Sequence, residues 1–218
     1  MEMTNEELEQ MREKLRQKLN QELEEYRRRG EWKEYIDLSL CMWECMPDAF
    51  LHFDEVPDNL KYQYAIDAYM HHGDSVPEVR EAVKRARKYG APKLPPELEK
   101  QEVITIYRAG EEPIDEAPAR ISWTTSIDTA LFFLDKYVKR HARYLYQGKI
   151  RAADIIAYTD ERNEKEIMQF QSVFDITVIR LSREQILEEL TFSVEPTTEI
   201  GELALGEAIE LLCKEGKA

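Results

Sequence analysis

The stretch Val103–Arg108 reads VITIYR, and its β-branched and aromatic residues alternate with the period of a strand rather than of a helix. That alternation puts Ile104, Ile106 and Arg108 on one face, an apolar row ending in a guanidinium. A cation so placed needs an anion, either an internal carboxylate or a bound ligand. The same kind of patterning predicts strands over Ile121–Ser126 (ISWTTS), Arg143–Gln147, Asp154–Thr159 (DIIAYT), Glu166–Phe170 and Val173–Leu181. One helix, Ile127–Arg140, interrupts them, and a closing helix is expected over Glu199–Lys214.

Upstream of this run the period changes. Ala91–Glu99 (APKLPPELE) carries three prolines and little regular periodicity, so residues 91–100 read as a linker or docking strap. Before it the pattern is helical. Thr4 and Glu7 form a capping box, and Leu8, Met11, Leu15, Leu19, Leu23 and Tyr26 follow at three- and four-residue steps up to Gly30. Further helices are expected over Trp32–Cys45, closed by Pro47, over Asn59–His71, closed by Gly73, and over Pro77–Tyr89, closed by Gly90. An α+β architecture follows, with an N-terminal helical bundle in residues 1–90 and a strand-rich domain in residues 101–218.

The 218 residues are 43% hydrophobic and 34% charged, a composition that supports a packed core and excludes wholesale disorder. The longest apolar run, Ala130–Leu134, is far short of the roughly 20 residues that span a bilayer, so no membrane role is expected. The acidic opening MEMTNEELEQ is unlike a signal peptide, and a cytoplasmic location is the expectation. A net charge of −14 disfavours non-specific adhesion to nucleic acid. Three cysteines, Cys41, Cys45 and Cys213, are too few and too odd for a disulfide framework. The four histidines have no zinc-ligand spacing around them, so no metal is expected.

Two further polar patterns stand out. Alternation around Glu164, Glu166, Met168 and Phe170 sets two carboxylates on one strand face, about 7 Å apart along the backbone. Like charges so placed raise at least one pKa, although a charged strand end at a solvated rim has the same pattern. In ISWTTS, Ser122, Thr124 and Ser126 share a face, and Ser126 is positioned to cap the helix that follows.

In sequence order these are Arg, then Ser-x-Thr on a strand leading into a helix, then Glu-x-Glu on a later strand. Val103–Leu181 thereby resembles the Arg-Ser-Glu class of ADP-ribosyltransferases, and within it the stand-alone bacterial and phage members. The resemblance lies in YRAG at Tyr107–Gly110, SWTTS at Ser122–Ser126 followed by Ala130 and Phe133, and ERNEKEIM at Glu161–Met168. The middle motif departs from the family, reading Ser-Trp-Thr where the pattern is Ser-Thr-Ser.

The resemblance implies a split mixed sheet that binds NAD without a Rossmann fingerprint, in keeping with the lack of GxGxxG in the chain. It implies that Arg108 holds the NAD phosphates, that Ser122 braces the nicotinamide pocket with Thr124 among the NAD-binding residues, and that Phe133 or Trp123 stacks on the nicotinamide ring. Glu166 would be the catalytic carboxylate facing the oxocarbenium-like centre, and Glu164 would orient or deprotonate the acceptor nucleophile. The implied activity is mono-ADP-ribosyl transfer from NAD to a macromolecular acceptor, a protein side chain or a nucleic acid, in a toxin or an agent of phage conflict. An NAD glycohydrolase and a catalytically inactive binding module are the alternatives. Recognition of the acceptor, or of a neutralising partner protein, would fall to residues 1–100.

Overall fold

The computed structural model describes residues 4–41, 46–138 and 144–179. Arg143, the end of the helix expected to reach Arg140, the end of the last strand, the tail helix over Glu199–Lys214, and Cys45 and Cys213 lie outside the described residues. The chain divides into two compact units, Met1–Ala91 and Pro92–Ala218.

The first unit is helical. Helix α1 (Asn5–Arg29) starts at the capping box, where the Thr4 backbone N–H donates to the Glu7 carboxylate at 2.8 Å and the Glu7 N–H donates to Thr4 Oγ1 at 3.3 Å. It ends at Gly30, whose φ of 70° is the left-handed cap that glycine adopts without a Cβ clash. Helix α2 (Trp32–Cys41) and a short helix α3 (Met46–Phe50) follow. Residues 42–45, where the first of these helices is expected to end, lie outside the described residues; Pro47 lies in the first turn of α3, where a missing N–H leaves no intrahelical bond unmade. Helices α4 (Asp58–His72) and α5 (Pro77–Arg85) complete the unit, α4 stopping at Gly73 as its sequence requires.

A core of Leu19, Leu23, Tyr35 and Ala49 joins α1, α2 and α3, with Tyr26, Trp32 and Ile36 at its margin. The buried hydroxyls here are paired: Tyr35 Oη donates to the Ala49 carbonyl at 2.7 Å, and Ser39 Oγ meets Tyr64 Oη at 2.8 Å. The front of the α1 stripe is different, since Leu8, Met11 and Leu15 are 36%, 54% and 46% exposed. Among the described residues no helix is long and apolar enough to cross a membrane.

In the second unit the proline-rich segment is more than a linker. Pro96–Glu99 forms one helical turn, α6, and Leu98 is buried with Leu94 against the sheet core. The strands are β1 (Val103–Gly110), β2 (Ser122–Thr124), β3 (Tyr144–Arg151), β4 (Ala157–Thr159), β5 (Glu166–Met168) and β6 (Phe174–Val178), with helix α7 (Ile127–Val138) between β2 and β3. Their order across one sheet is β4-β5-β2-β1-β3-β6.

Every pairing among these strands is antiparallel, so the mixed sheet implied by the resemblance is not found. Chain length between neighbours explains part of this. β4 reaches β5 through residues 160–165 and β1 reaches β2 through 111–121, connections shorter than a parallel crossover requires. The sheet narrows sharply in the middle. β1 pairs with β3 along its whole length, from Val103 opposite Arg151 to Gly110 opposite Tyr144, whereas β1 meets β2 only where Tyr107 faces Thr124.

The two faces have different cores. Ile104 and Ile106 pack on one side with Trp123, Ile150, Ile155 and Ile167, all 2% exposed or less. Burying each contributes about 1.5–3 kcal/mol. On the other side α7 lays Ala130, Leu131 and Leu134 against Leu145, with Tyr107 and Ala109 at the edge.

Candidate active site

The register draws one polar row across the α7 face. Thr159, Glu166, Thr124, Tyr107, Gln147 and Thr177 stand opposite one another on successive strands β4, β5, β2, β1, β3 and β6. Directly opposed residues share a face, so Glu166 and Thr124 project together, and Ser122, two residues from Thr124 on the same face, is a diagonal neighbour of Glu166.

Glu166 is the most constrained group here. Its side chain is only 6% exposed, and its Oε2 is buried without a hydrogen-bond partner. Burial raises its pKa above the ordinary carboxylate value, while a hydrogen bond with the Ser122 side chain and the charge of Arg162 pull the other way. Nearby Glu164 adds to the upward push.

Glu164 differs from its sequence reading. β5 begins at Glu166, and Lys165 has a φ of 46°, so the extended alternation that would align Glu164 with Glu166 is broken between them. The two carboxylates converge by another route: Nη2 of Arg162 lies 2.9 Å from Glu164 Oε2 and 3.6 Å from Glu166 Oε2. Thr124 fixes this loop. Its Oγ1 donates to the Glu164 carbonyl at 2.6 Å and accepts from the Ser126 N–H at 3.0 Å. It is a positioning residue, 6% exposed, that ties the start of α7 to the glutamate loop. Ser126 caps α7, accepting from the Thr129 N–H at 3.2 Å.

Arg108 lies on the opposite face by register, with Tyr146 as its cross-strand partner. Its guanidinium reaches the end of β2, where Nη1 donates to the Ser122 carbonyl at 2.7 Å. Nε donates to Glu112 Oε1 at 2.9 Å, so the internal carboxylate partner is present. Nη2 takes part in neither bond. Glu112, with a side chain 3% exposed, also has Arg120 at 3.6 Å. Burial pushes its pKa up, but the charge and hydrogen bond of Arg108, a backbone N–H and Arg120 outweigh this and hold it below the ordinary value.

Gly110 makes that ion pair possible. A Cβ there would lie 2.5 Å from Glu112 Oε2, so any larger residue would have to displace the carboxylate that folds back over this position.

The two aromatic candidates separate. Trp123 is 2% exposed in the sheet core and its Nε1 donates to the Arg120 carbonyl at 3.1 Å, which makes it a structural residue and not a stacking surface. The cause is strand parity: one position from Ser122 or Thr124, it faces the apolar side. Phe133 is half-buried on α7, with its ring 5.6 Å from that of Phe132.

Four participants were not singled out from sequence. Glu112, Arg120 and Arg162 had no periodicity to mark them, since they lie in or beside loops. Gln169, fully buried, donates to the Pro118 and Arg120 carbonyls and accepts from the Ser172 N–H at 2.9 Å, holding the loop before β2. Its position just after Glu-x-Glu was the available signal. Compared with protein-family models, curated proteins and solved structures, the chain finds no match.

Proposed function

We propose that the strand-rich unit is an ADP-ribosyltransferase-like domain that moves ADP-ribose from NAD to a macromolecular acceptor, protein or nucleic acid. One observation carries the reading: a buried carboxylate oxygen of Glu166 with no hydrogen-bond partner and with Arg162 Nη2 at 3.6 Å, next to Ser122 on the same face and to a second, more exposed carboxylate, Glu164. An orphaned acceptor in a site this dry is costly unless a donor completes it. A ribose hydroxyl is such a donor.

In this mechanism Glu166 accepts from the ribose and its negative charge stabilises the oxocarbenium-like centre as nicotinamide departs. Glu164, 23% exposed against 6% for Glu166, lies where an acceptor arrives and takes its proton. Arg108 has Nη2 uncommitted to Glu112 or Ser122 and supplies positive charge for the pyrophosphate. Phe133 provides the half-buried aromatic surface for the nicotinamide ring.

Thermal melting with and without NAD tests the binding half of this reading. Millimolar NAD is expected to raise the melting temperature of the wild type, since a ligand selective for the folded state stabilises it. Arg108→Lys keeps a counter-charge beside Glu112 but removes the planar fork, so its NAD-induced shift is expected to shrink or vanish. A wild type that melts identically at all NAD concentrations contradicts the reading.

A further inference from the structure

Every residue from Thr4 to Lys18 is exposed, and α1 enters the core of the helical unit only at Leu19 and Leu23. At roughly 1.5 Å of rise per residue this front part of α1 is about 22 Å long. Leu8, Met11 and Leu15, spaced by three and four residues, form one apolar stripe along it. An isolated helix of this length is marginal in water and draws its stability from packing of such a face. Here the face is open to solvent.

The charges around the stripe say what fits it. Residues 5–10 carry Glu6, Glu7 and Glu9 and no cation, whereas residues 11–18 carry Arg12, Lys14, Arg16 and Lys18 against Glu13. With four charges of each sign the front of α1 is neutral, in a chain whose net charge is −14. A strongly basic or acidic partner finds no complement in a neutral segment. A helix acidic at one end and basic at the other is complementary to its own copy running the opposite way, while a parallel copy would set like charges side by side.

We propose that the front of α1 pairs with the same helix of a second copy, antiparallel, about a two-fold axis. The stripe is a short heptad core, with Leu8 and Leu15 at the a positions and Met11 at d. Setting a against d of the other helix puts Leu8 on Met11 of the second copy and Leu15 on its Thr4, each contact occurring twice. In that register Glu7 and Lys14, seven residues apart on one flank of the stripe, face each other across the interface, again twice. Both groups are available. The capping box engages only Oε2 of Glu7, which accepts from the Thr4 N–H at 2.8 Å and from Thr4 Oγ1 at 3.0 Å. Lys14 has no ion pair among the described residues. The paired length is short and its area lies below that of a standard interface, so the association is weak and the stripe is bare in dilute solution.

Sedimentation equilibrium of the full-length protein, from micromolar to millimolar concentration, tests this. The expected result is a monomer–dimer equilibrium with a dissociation constant in the micromolar range. Met11→Lys, on an exposed face and checked for folding by melting, is expected to stay monomeric throughout. Lys14→Glu opposes like charges twice and is expected to raise the dissociation constant by about tenfold. Adding Glu7→Lys to it restores opposite charges, and the double variant is expected to recover the dimer. A wild type that stays monomeric overturns the proposal and leaves the stripe to a different partner or to another segment of the chain. A dimer undiminished in Met11→Lys puts the interface elsewhere and overturns it as well. A double variant no tighter than Lys14→Glu overturns the antiparallel register.

Discussion

Glu112 and Glu166 are both pushed up by burial and pulled down by hydrogen bonds and arginine charges, yet the balance falls on opposite sides, and this gives two predictions of opposite sign. Glu166 has its folded pKa raised, so it holds its proton more tightly in the native state than unfolded. Its ionisation costs stability as pH rises through the folded pKa. Glu166→Gln is therefore expected to melt higher than wild type at pH 7, with the gap closing near and below the ordinary value of 4.5. Glu112 is lowered, so its stabilising contribution is present above about 4.5 and is lost as pH falls through the folded pKa. Glu112→Gln is expected to cost roughly 2–3 kcal/mol at pH 7, reduced from the range for buried pairs because Arg108 is one-fifth exposed, and little in acid. Denaturant titrations of both variants at pH 7 and pH 4 check the signs; equal shifts in one direction contradict the assignment. Glu166 was singled out from the sequence by Glu-x-Glu only together with the family resemblance, since the pair alone also fits a solvated strand end. Glu112 was not, because its partners arrive from β1 and from the loop before β2, and nothing in the local pattern foretells the fold-back over Gly110.

Helix α1 shows how far a periodic pattern carries at the level of an element. The capping box, the stripe and the Gly30 stop are all in the sequence, and the helix runs between them. What the pattern does not contain is the depth of burial along it: Leu19 and Leu23 enter the core while Leu8, Met11 and Leu15 stay exposed. Leu23→Ala is accordingly expected to destabilise the helical unit by about 2–5 kcal/mol, and Met11→Ser to change it by less than about 0.5 kcal/mol. Chemical denaturation measures both, and a large loss in Met11→Ser would show that the front of the stripe is covered. The strands teach the same lesson through parity. Alternation correctly ordered Ile104, Ile106 and Arg108, but it failed between Glu164 and Glu166, where Lys165 turns left-handed. Trp123 was legible as a strand residue, and only the register of β2 between β1 and β5 assigns it to the core.

Across the whole molecule the chain divides between Ala91 and Pro92, and the apolar clusters described each belong to one side of that division. The change of period at the proline-rich segment was readable, and a docking strap was one reading of it; that Leu98 is the residue that enters the sheet core was not, because a lone apolar residue beside prolines has no periodicity. The candidate chemistry lies wholly within the second unit, where β2, β5 and the 160–165 loop bring Ser122, Glu164 and Glu166 together. The central claim is that the buried charge of Glu166 drives departure of nicotinamide. Its most direct test is the rate of nicotinamide release from NAD by wild type and by Glu166→Gln, both confirmed folded. Wild type is expected to release nicotinamide, and Glu166→Gln to do so roughly 100- to 1,000-fold more slowly, the loss typical of removing one preorganised electrostatic group. Equal rates, or no release by wild type at millimolar NAD, would contradict it.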